Sequence, residues 1–388
     1  MNIEFVGKFY DNHSLTIINR QLALLLEKEK NVTLSITPLD EYNPASKLSK
    51  DIIKKLKNLE AVDIEDPVDL QIRHSYPPVW QWPKDDSTKV VFIQPWEFPK
   101  VPFEWQYKWE TFADHLIVPS NYIKNIVTQG GMNPTDITVV PNGFDEAIFN
   151  KKGSKLNKYG INPDKFNFLY VGNSQWRKGL DILINEWHGA FKAFDNAKLI
   201  IKDNPAIYGQ NNVLNEIIKM QYKTGCGTVI YIDDELSDED MSALYRSSKV
   251  VVHPYRAEGF GMHIQEAVAC GCLPILPTSG PHEDFIPPDI GIRVETQQAA
   301  VDITSNQVFA QKPGDSFTLM NTHTFINEPV GQNLKKALQW IYHSHDKKEV
   351  FAKLENVEMT NTWTNVAKQY MEVIYNVNKS DARPKRFR

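Results

Sequence analysis

Cysteine is scarce in this chain, and Cys226, Cys270 and Cys272 make neither a dense disulfide framework nor a four-ligand metal set. A reducing, intracellular setting is the expectation, with no metal site. Long apolar runs are also missing. No stretch approaches the roughly 18 consecutive apolar residues of a membrane span. The opening MNIEFVGKFYDNHSLTIINRQLALLLEKEK carries Glu4 and Lys8 inside its apolar run and lacks the basic, apolar, small-residue order of a secretory leader. These absences predict a cytoplasmic protein and leave room for peripheral attachment at the inner face of a membrane. Excess charge is lacking too: 43 Lys plus Arg against 48 Asp plus Glu give a net charge of -5, which argues against a nucleic-acid partner.

What is present is a long, patterned chain. Its 388 residues suggest two to three domains at about 150 residues each. The apolar segment from Ile3 to Val6, then Gly7 and a polar loop, then Leu15, Ile18, Leu22, Leu25 and Leu26 at helical intervals, read as strand, loop and helix. Short strands are predicted again at 32–36, 89–94, 115–118 and 137–140, and a second series at 166–171, 197–201, 228–232, 249–253 and 273–276. This alternation predicts two α/β units with largely parallel sheets. The expected division is 1–150 and 151–345, with the boundary in the charged KKGSKLNKYGINPDK. Between Pro287 and Pro329 the helical rhythm weakens, and Val308, Phe309, Phe317, Leu319, Phe325 and Ile326 read as short strands or an embellished loop. Residues 346–376 are expected to be helical, and 377–388 to be a basic tail.

The chemically informative segment is HPYRAEGFGMHIQEAVACGCLPILPTSGPHEDF, residues 253–285. Glu258 precedes a Gly259-Phe260-Gly261 turn, and Glu266 follows eight positions after Glu258. A helix starting near Gly261, with Met262 and His263 in its first turn, offers free amides and the positive end of its dipole to a phosphate. Taken alone, the two glutamates could equally cap a helix and form a solvated ion pair. Upstream, VPNGFDEAIF reads as a sharp turn, HLIVPSNYIKNIV as a strand and a helix capped by Ser120, and LYVGNSQWRKGLDILINEW as a strand-to-helix turn carrying Asn173, Arg177, Lys178 and Gly179.

In combination these blocks resemble retaining glycosyltransferases of the GT-B superfamily, especially glycosyltransferase family 4. The resemblance rests on Glu258-Gly259-Phe260-Gly261, on Glu266 after seven intervening residues, on the Lys178-Gly179 pair and on VPNGFDEAIF, and it runs over most of residues 1–285. It implies an α/β GT-B fold of two Rossmann-like domains facing an interdomain cleft. Residues 1–150 would form the acceptor side and 151–345 the nucleotide-sugar donor side, with helices of 346–376 crossing back to the first domain. The implied reaction moves a sugar from a nucleoside diphosphate sugar to a hydroxyl of a glycan, glycolipid or glycoprotein, with the donor's anomeric configuration retained. The donor base is left open, and no further cofactor or metal is implied. The acidic runs at Asp233-Asp234 and Asp238 to Asp240 read as a solvated loop and a helix start.

The same resemblance distributes roles. Glu266 would hold the ribose, Glu258 the donor sugar and Lys178 the diphosphate. Gly259, Phe260, Gly261, Met262 and His263 would form the phosphate-facing helix start, and Ile232 would border the nucleobase through its backbone. An arginine that relatives carry before the lysine falls on Asn173, so its charge would pass to Arg177. Gly7 would approach the donor phosphate or the acceptor, although the commoner paired glycines are absent. Where relatives place a His-containing loop, this chain has Pro95, Trp96 and Glu97. Glu97 would accept a bond from a sugar or acceptor hydroxyl and Trp96 would offer a stacking face, unless either simply secures the loop. His74, expected in another cleft loop, is either a structural histidine or a proton carrier. Candidate catalytic residues are therefore Glu258, Lys178 and Glu97. Two other functions use the same features: a nucleotide-sugar hydrolase or epimerase, and a noncatalytic glycan-binding protein with a degraded transferase fold.

Overall fold

The computed structural model describes residues 1–44, 48–64, 67–204, 217, 219, 225–302, 323–344 and 347–380. They divide into two units, one of Met1–Gly143 with the segment from Asn361, the other of Phe144–Thr360.

In the first unit, six parallel strands are joined mostly through helices, with a helix-free loop over 75–88. They are β1 (Asn2–Gly7), β2 (Thr33–Pro38), β3 (Leu70–His74), β4 (Lys89–Ile93), β5 (His115–Val118) and β6 (Ile137–Val139), in the order β2-β1-β3-β4-β5-β6. The connecting helices are α1 (Ser14–Leu26), α2 (Lys50–Glu60), α3 (Phe103–Phe112) and α4 (Asn121–Gln129). The Ser120 hydroxyl accepts from the Ile123 amide at 3.2 Å, so this serine is a helix cap. Strand β3 was not expected. Its sequence, LQIRH, breaks the apolar pattern, yet all five residues are buried. Each polar group there is bonded, as burial requires. Gln71 donates to Glu4 Oε2 at 2.7 Å, and Arg73 donates to Gln71 Oε1 and to the carbonyls of Val79 and Gln81.

His74 therefore ends a central strand and does not sit in a loop. Its Nδ1 meets Asn19 Oδ1, and burial pushes its pKa down to about 3. A neutral, enclosed imidazole of this kind is a structural histidine. Trp96 is likewise internal: it is 1% exposed, its indole N–H donates to the Lys100 carbonyl at 3.0 Å, and its ring packs against Phe98 and Trp105. It offers no open face for stacking.

The second unit repeats the plan with β7 (Phe166–Val171), α5 (Leu180–Ala190), β8 (Ala197–Lys202), β9 (Thr228–Ile232), α6 (Asp238–Arg246), β10 (Val250–Val252), α7 (Met262–Ala269), β11 (Leu273–Pro277) and β12 (Ile292–Val294). Its strands are parallel in the order β12-β11-β10-β7-β8-β9. The chain runs outward from β7 through β8 and β9, then returns to the other side of β7 with β10. Open α/β sheets place ligands beyond the carboxyl ends of the strands where the winding reverses, which here lies between β7 and β10. An antiparallel hairpin of β13 (Thr296–Asp302) and β14 (His323–Pro329) follows, then α8 (Gly331–His343) and α9 (Lys347–Glu355). Phe325 and Ile326 lie in β14; Val308, Phe309, Phe317 and Leu319 lie outside the described residues.

The helical pattern after Lys347 is interrupted over 356–362 and resumes as α10 (Trp363–Lys379), whose first turn is capped by the Thr362 hydroxyl. This helix belongs to the first unit, where it packs on α1. It runs through Lys379, and 381–388 lie outside the described residues. Among the described residues no helix is long and apolar enough to cross a membrane.

Candidate functional site

Two loops leave the carboxyl ends of β7 and β10, and the backbone pins them together. The amides of Arg256 and Ala257 both donate to the Arg177 carbonyl, at 2.8 and 3.2 Å. Gly179 is needed at this contact: its φ is +71°, and a Cβ would lie 1.9 Å from the Pro254 carbonyl oxygen. Arg256 locks the same junction from below. Its guanidinium donates twice to Asp181, at 2.7 Å each, and once to Glu328 at 2.6 Å, and it stacks 4.3 Å from the centre of the Trp176 ring. Arg256→Lys, which keeps the charge but loses the planar fork, should destabilise the second unit by about 2 kcal/mol in denaturant titration.

The clasp brings Lys178, Arg177 and Glu258 together. The Lys178 ammonium donates to Glu258 Oε2, and Arg177 Nη1 lies 3.8 Å from Oε1; the lysine and glutamate side chains are only 11% and 8% exposed. His253 Nε2 approaches Glu258 Oε2 at 3.4 Å, and the Gly259 amide donates to Oε1 at 3.2 Å. Burial alone would push the Glu258 pKa up, but Lys178, His253 and Arg177 outweigh it and hold the carboxyl well below its usual range. Glu258 is thus ionised throughout the neutral range. His253 is driven down to about 4 by burial, and His263 is also driven down, so both rings are neutral.

Helix α7 begins directly after this cluster. Gly261, at φ +93°, is its N-cap and no side chain caps it, so its first amides and its dipole face the loop. Phe260 is buried against Phe285 at a 4.7 Å centroid distance, which fixes the turn from behind. His263 lies in the first turn, its ring edge-to-face with His253 at 4.2 Å and its Nε2 buried without a hydrogen-bond partner among the described residues. Glu266 lies four residues beyond Met262, about 6 Å along the axis. It forms no solvated ion pair: its Oε2 accepts from the Tyr245 hydroxyl at 3.0 Å, and burial raises its pKa to about 7.

His253, Glu258 and His263 each bring one ligand atom within 4.8 Å of the others, a set that could hold a cation. Its only carboxylate is already engaged by an ammonium and flanked by a guanidinium. A metal would have to displace positive charge that the fold supplies through Lys178 and Arg177, and those two cations, not the three ligand atoms, are the groups suited to an anion.

Other sequence candidates fall in different places. The Asn173 side chain accepts from the Gln175 amide and its carbonyl from the Tyr170 hydroxyl, so it shapes the loop while Arg177 stands beside Glu258. Ile232 ends β9 with its side chain in the core and its carbonyl accepting from the Asp203 amide at 2.9 Å. Gly7 belongs to the first unit, where a Cβ would meet Asn19 Nδ2 at 2.6 Å and the His74 carbonyl at 2.7 Å. In the following loop, the amides of Phe9, Tyr10 and Asp11 all donate to the Asp40 carboxylate at 2.7 to 3.1 Å. The protein's own anion therefore fills that row of donors. Glu97 is half-buried in the loop after β4, also in the first unit.

Two contributors were not singled out from the sequence, Arg256 and Tyr245; nor was the Lys202-Asp203 pair at the end of β8. Lys202 donates to the Asp203 carbonyl, and Asp203 accepts from the Tyr231 hydroxyl at 2.9 Å. Arg256 stood inside the informative segment, but nothing local announces its partners 75 and 72 residues away.

Residues 151–303 match the family described as glycosyl transferases group 1. The chain is 31% identical over 170 residues to an uncharacterised glycosyltransferase of Methanocaldococcus jannaschii and 25% identical over 164 residues to a D-inositol 3-phosphate glycosyltransferase of Paenarthrobacter aurescens. These alignments take in 43% and 40% of this chain and span 41% and 38% of those proteins. Among solved structures, Anabaena HepE in complex with UDP-glucose superposes with a TM-score of 0.63 at 14% identity, over 97% of this chain and all of that one. A glycosyltransferase of Rickettsia africae superposes with a TM-score of 0.64 at 12% identity, over 98% of this chain and all of that one. Residues 151–303 thus resemble the glycosyl transferases group 1 family in sequence, and over nearly its whole length the chain has the GT-B fold of two Rossmann-like α/β units.

Proposed function

We propose that the protein is a retaining glycosyltransferase that moves a sugar from a nucleoside diphosphate sugar to a hydroxyl of a glycan, glycolipid or glycoprotein. The observation that carries this reading is the convergence of Lys178 and Arg177 on Glu258 at the uncapped, glycine-led start of α7. Two cations, a helix dipole and open amides suit a diphosphate, while an ionised carboxylate beside them suits sugar hydroxyls. The resemblance to the group 1 family, and a fold neighbour solved with UDP-glucose, support the donor class.

In the proposed reaction the bond from the anomeric carbon to the phosphate oxygen breaks, and charge accumulates on the departing diphosphate. Lys178, Arg177 and the α7 amides stabilise that charge where it develops. Lys178 exchanges its Glu258 partner for the diphosphate, which releases Glu258 to accept from the donor sugar. The acceptor oxygen bonds to the anomeric carbon on the same face, and its proton passes to the leaving phosphate. Glu97 is proposed to accept from a sugar or acceptor hydroxyl, and Glu266 from the ribose.

The test is turnover of UDP-, GDP-, ADP- and TDP-sugars with mixed acceptors, read by mass spectrometry and by proton NMR of the new linkage. One donor should give an acceptor-dependent product with its anomeric configuration kept. Free sugar or an epimer formed without acceptor, or an inverted linkage, would contradict the proposal.

A further inference from the structure

We infer that Tyr245 is a positioning residue for the nucleotide: its hydroxyl holds one carboxylate oxygen of Glu266 so that the other faces the ribose, and thereby sets the pH range of donor binding. The inference rests on the donor reading above. Tyr245 lies near the end of α6, fully buried, with its ring edge-on to Phe149 at 6.0 Å. Cys272 Sγ donates to its carbonyl at 3.1 Å, which holds the residue from the backbone side as well. The hydroxyl is therefore a fixed donor, not a rotor seeking water. It reaches Glu266 Oε2 at 3.0 Å and is the side-chain hydrogen-bond partner of that glutamate among the described residues. A carboxylate on a helix without this anchor would sample several rotamers, and a ribose diol needs one of them.

The local charges make the anchor matter. Burial raises the Glu266 pKa to about 7, the Tyr245 bond opposes that rise, and Asp238 at the start of α6 adds to it. The other titratable neighbours are silent near neutrality: burial drives the Tyr245 phenol and the Cys272 thiol far up, and the Cys270 thiol to about 12. A ribose hydroxyl donates more strongly to a carboxylate than to a neutral carboxyl, so the ionised form of Glu266 is the better partner. Removing one hydrogen bond of ordinary strength shifts such a group by about one pH unit. Tyr245→Phe should accordingly push Glu266 up and empty its ionised form at neutral pH.

The experiment is calorimetric titration of the full chain from pH 5.5 to 8.5 with UDP-glucose, GDP-mannose and ADP-glucose, whose diphosphates carry no ionisation in that range. The tightest binder is then repeated as its 2′,3′-dideoxynucleoside counterpart. Wild-type affinity should rise through a midpoint near pH 7. Tyr245→Phe should bind at least about five-fold more weakly at pH 7, recover most of that loss by pH 8.5 while keeping the part due to the unanchored carboxylate, and show a midpoint about one unit higher. Glu266→Gln and the dideoxy ligand should give flat, weak profiles. A loss of equal size at every pH, or an unmoved midpoint, would overturn the role of Tyr245 while leaving the donor reading intact. Failure of the wild type to bind any of the three would overturn both.

A ligand-free arm reads the same coupling. A glutamate raised in the folded state contributes stability below its unfolded pKa, and that contribution is lost as pH climbs through the folded value. Glu266→Gln should therefore gain melting temperature over wild type between about pH 5 and 8. A constant difference across that interval would contradict the titration.

Discussion

Lys178→Met should lower acceptor-dependent sugar transfer by about 10²- to 10³-fold, the usual cost of removing one preorganised group that meets charge as it develops. The same change should destabilise the second unit, because it leaves an ionised Glu258 in a buried loop junction with Arg177 at 3.8 Å, a neutral His253 and the Gly259 amide as its remaining neighbours. Breaking a buried pair from one side costs about 3 kcal/mol. The two effects separate in a double-variant cycle. Adding Glu258→Gln to Lys178→Met removes the stranded charge and should restore most of the lost melting temperature, while turnover stays as low or falls further. Recovery of both together would mean that the pair is structural, and the catalytic assignment of Lys178 would fail.

Gly179→Ala should be nearly as damaging by a different route. A left-handed residue costs about 1 kcal/mol once it carries a Cβ, and crowding adds roughly 1 to 3 kcal/mol more. Here the obstacle is the Pro254 carbonyl, part of the backbone of the opposing loop, which cannot swing away as a side chain would. The substitution must pry the β7–α5 loop from the β10–α7 loop, separating Lys178 from Glu258. Chemical denaturation should show a loss of about 3 kcal/mol, and calorimetry should show donor affinity falling with it. An alanine variant of native stability and affinity would show that the clasp is looser than the structure has it.

The segment around Glu258 was legible because its chemistry is contiguous: a carboxylate, a glycine turn and a helix start follow one another within nine residues. The parallel strands were legible for the same reason, since buried strands write themselves as short apolar runs. Strand β3 escaped because Gln71, Arg73 and His74 look like loop residues until the partners that satisfy them, Glu4, Val79, Gln81 and Asn19, are in place. Arg256 and Tyr245 escaped for a related reason. Their roles are defined by side chains on other elements, and no spacing rule connects α6 to α7. Trp96 shows the ambiguity from the other side, an aromatic residue beside a polar loop that could either stack on a sugar or secure the loop, and that its own neighbours enclose.

These cases mark where local reading ends. A helix start or a glycine turn is a property of adjacent residues, so sequence suffices. A charge balance such as Lys178, Arg177 and Glu258 depends on two loops meeting, and sequence supplies only the candidates. The Gly7 loop illustrates the limit: it follows the first strand as a phosphate-binding loop would, but Asp40 occupies its amides.

The most direct test is a crystal structure of the protein with an intact nucleotide sugar. The diphosphate should lie against the amides of Met262 and His263 with Lys178 Nζ in hydrogen-bond contact, the ribose on Glu266 and the sugar on Glu258. A diphosphate bound away from the start of α7, with the Lys178–Glu258 pair still closed, would contradict the account.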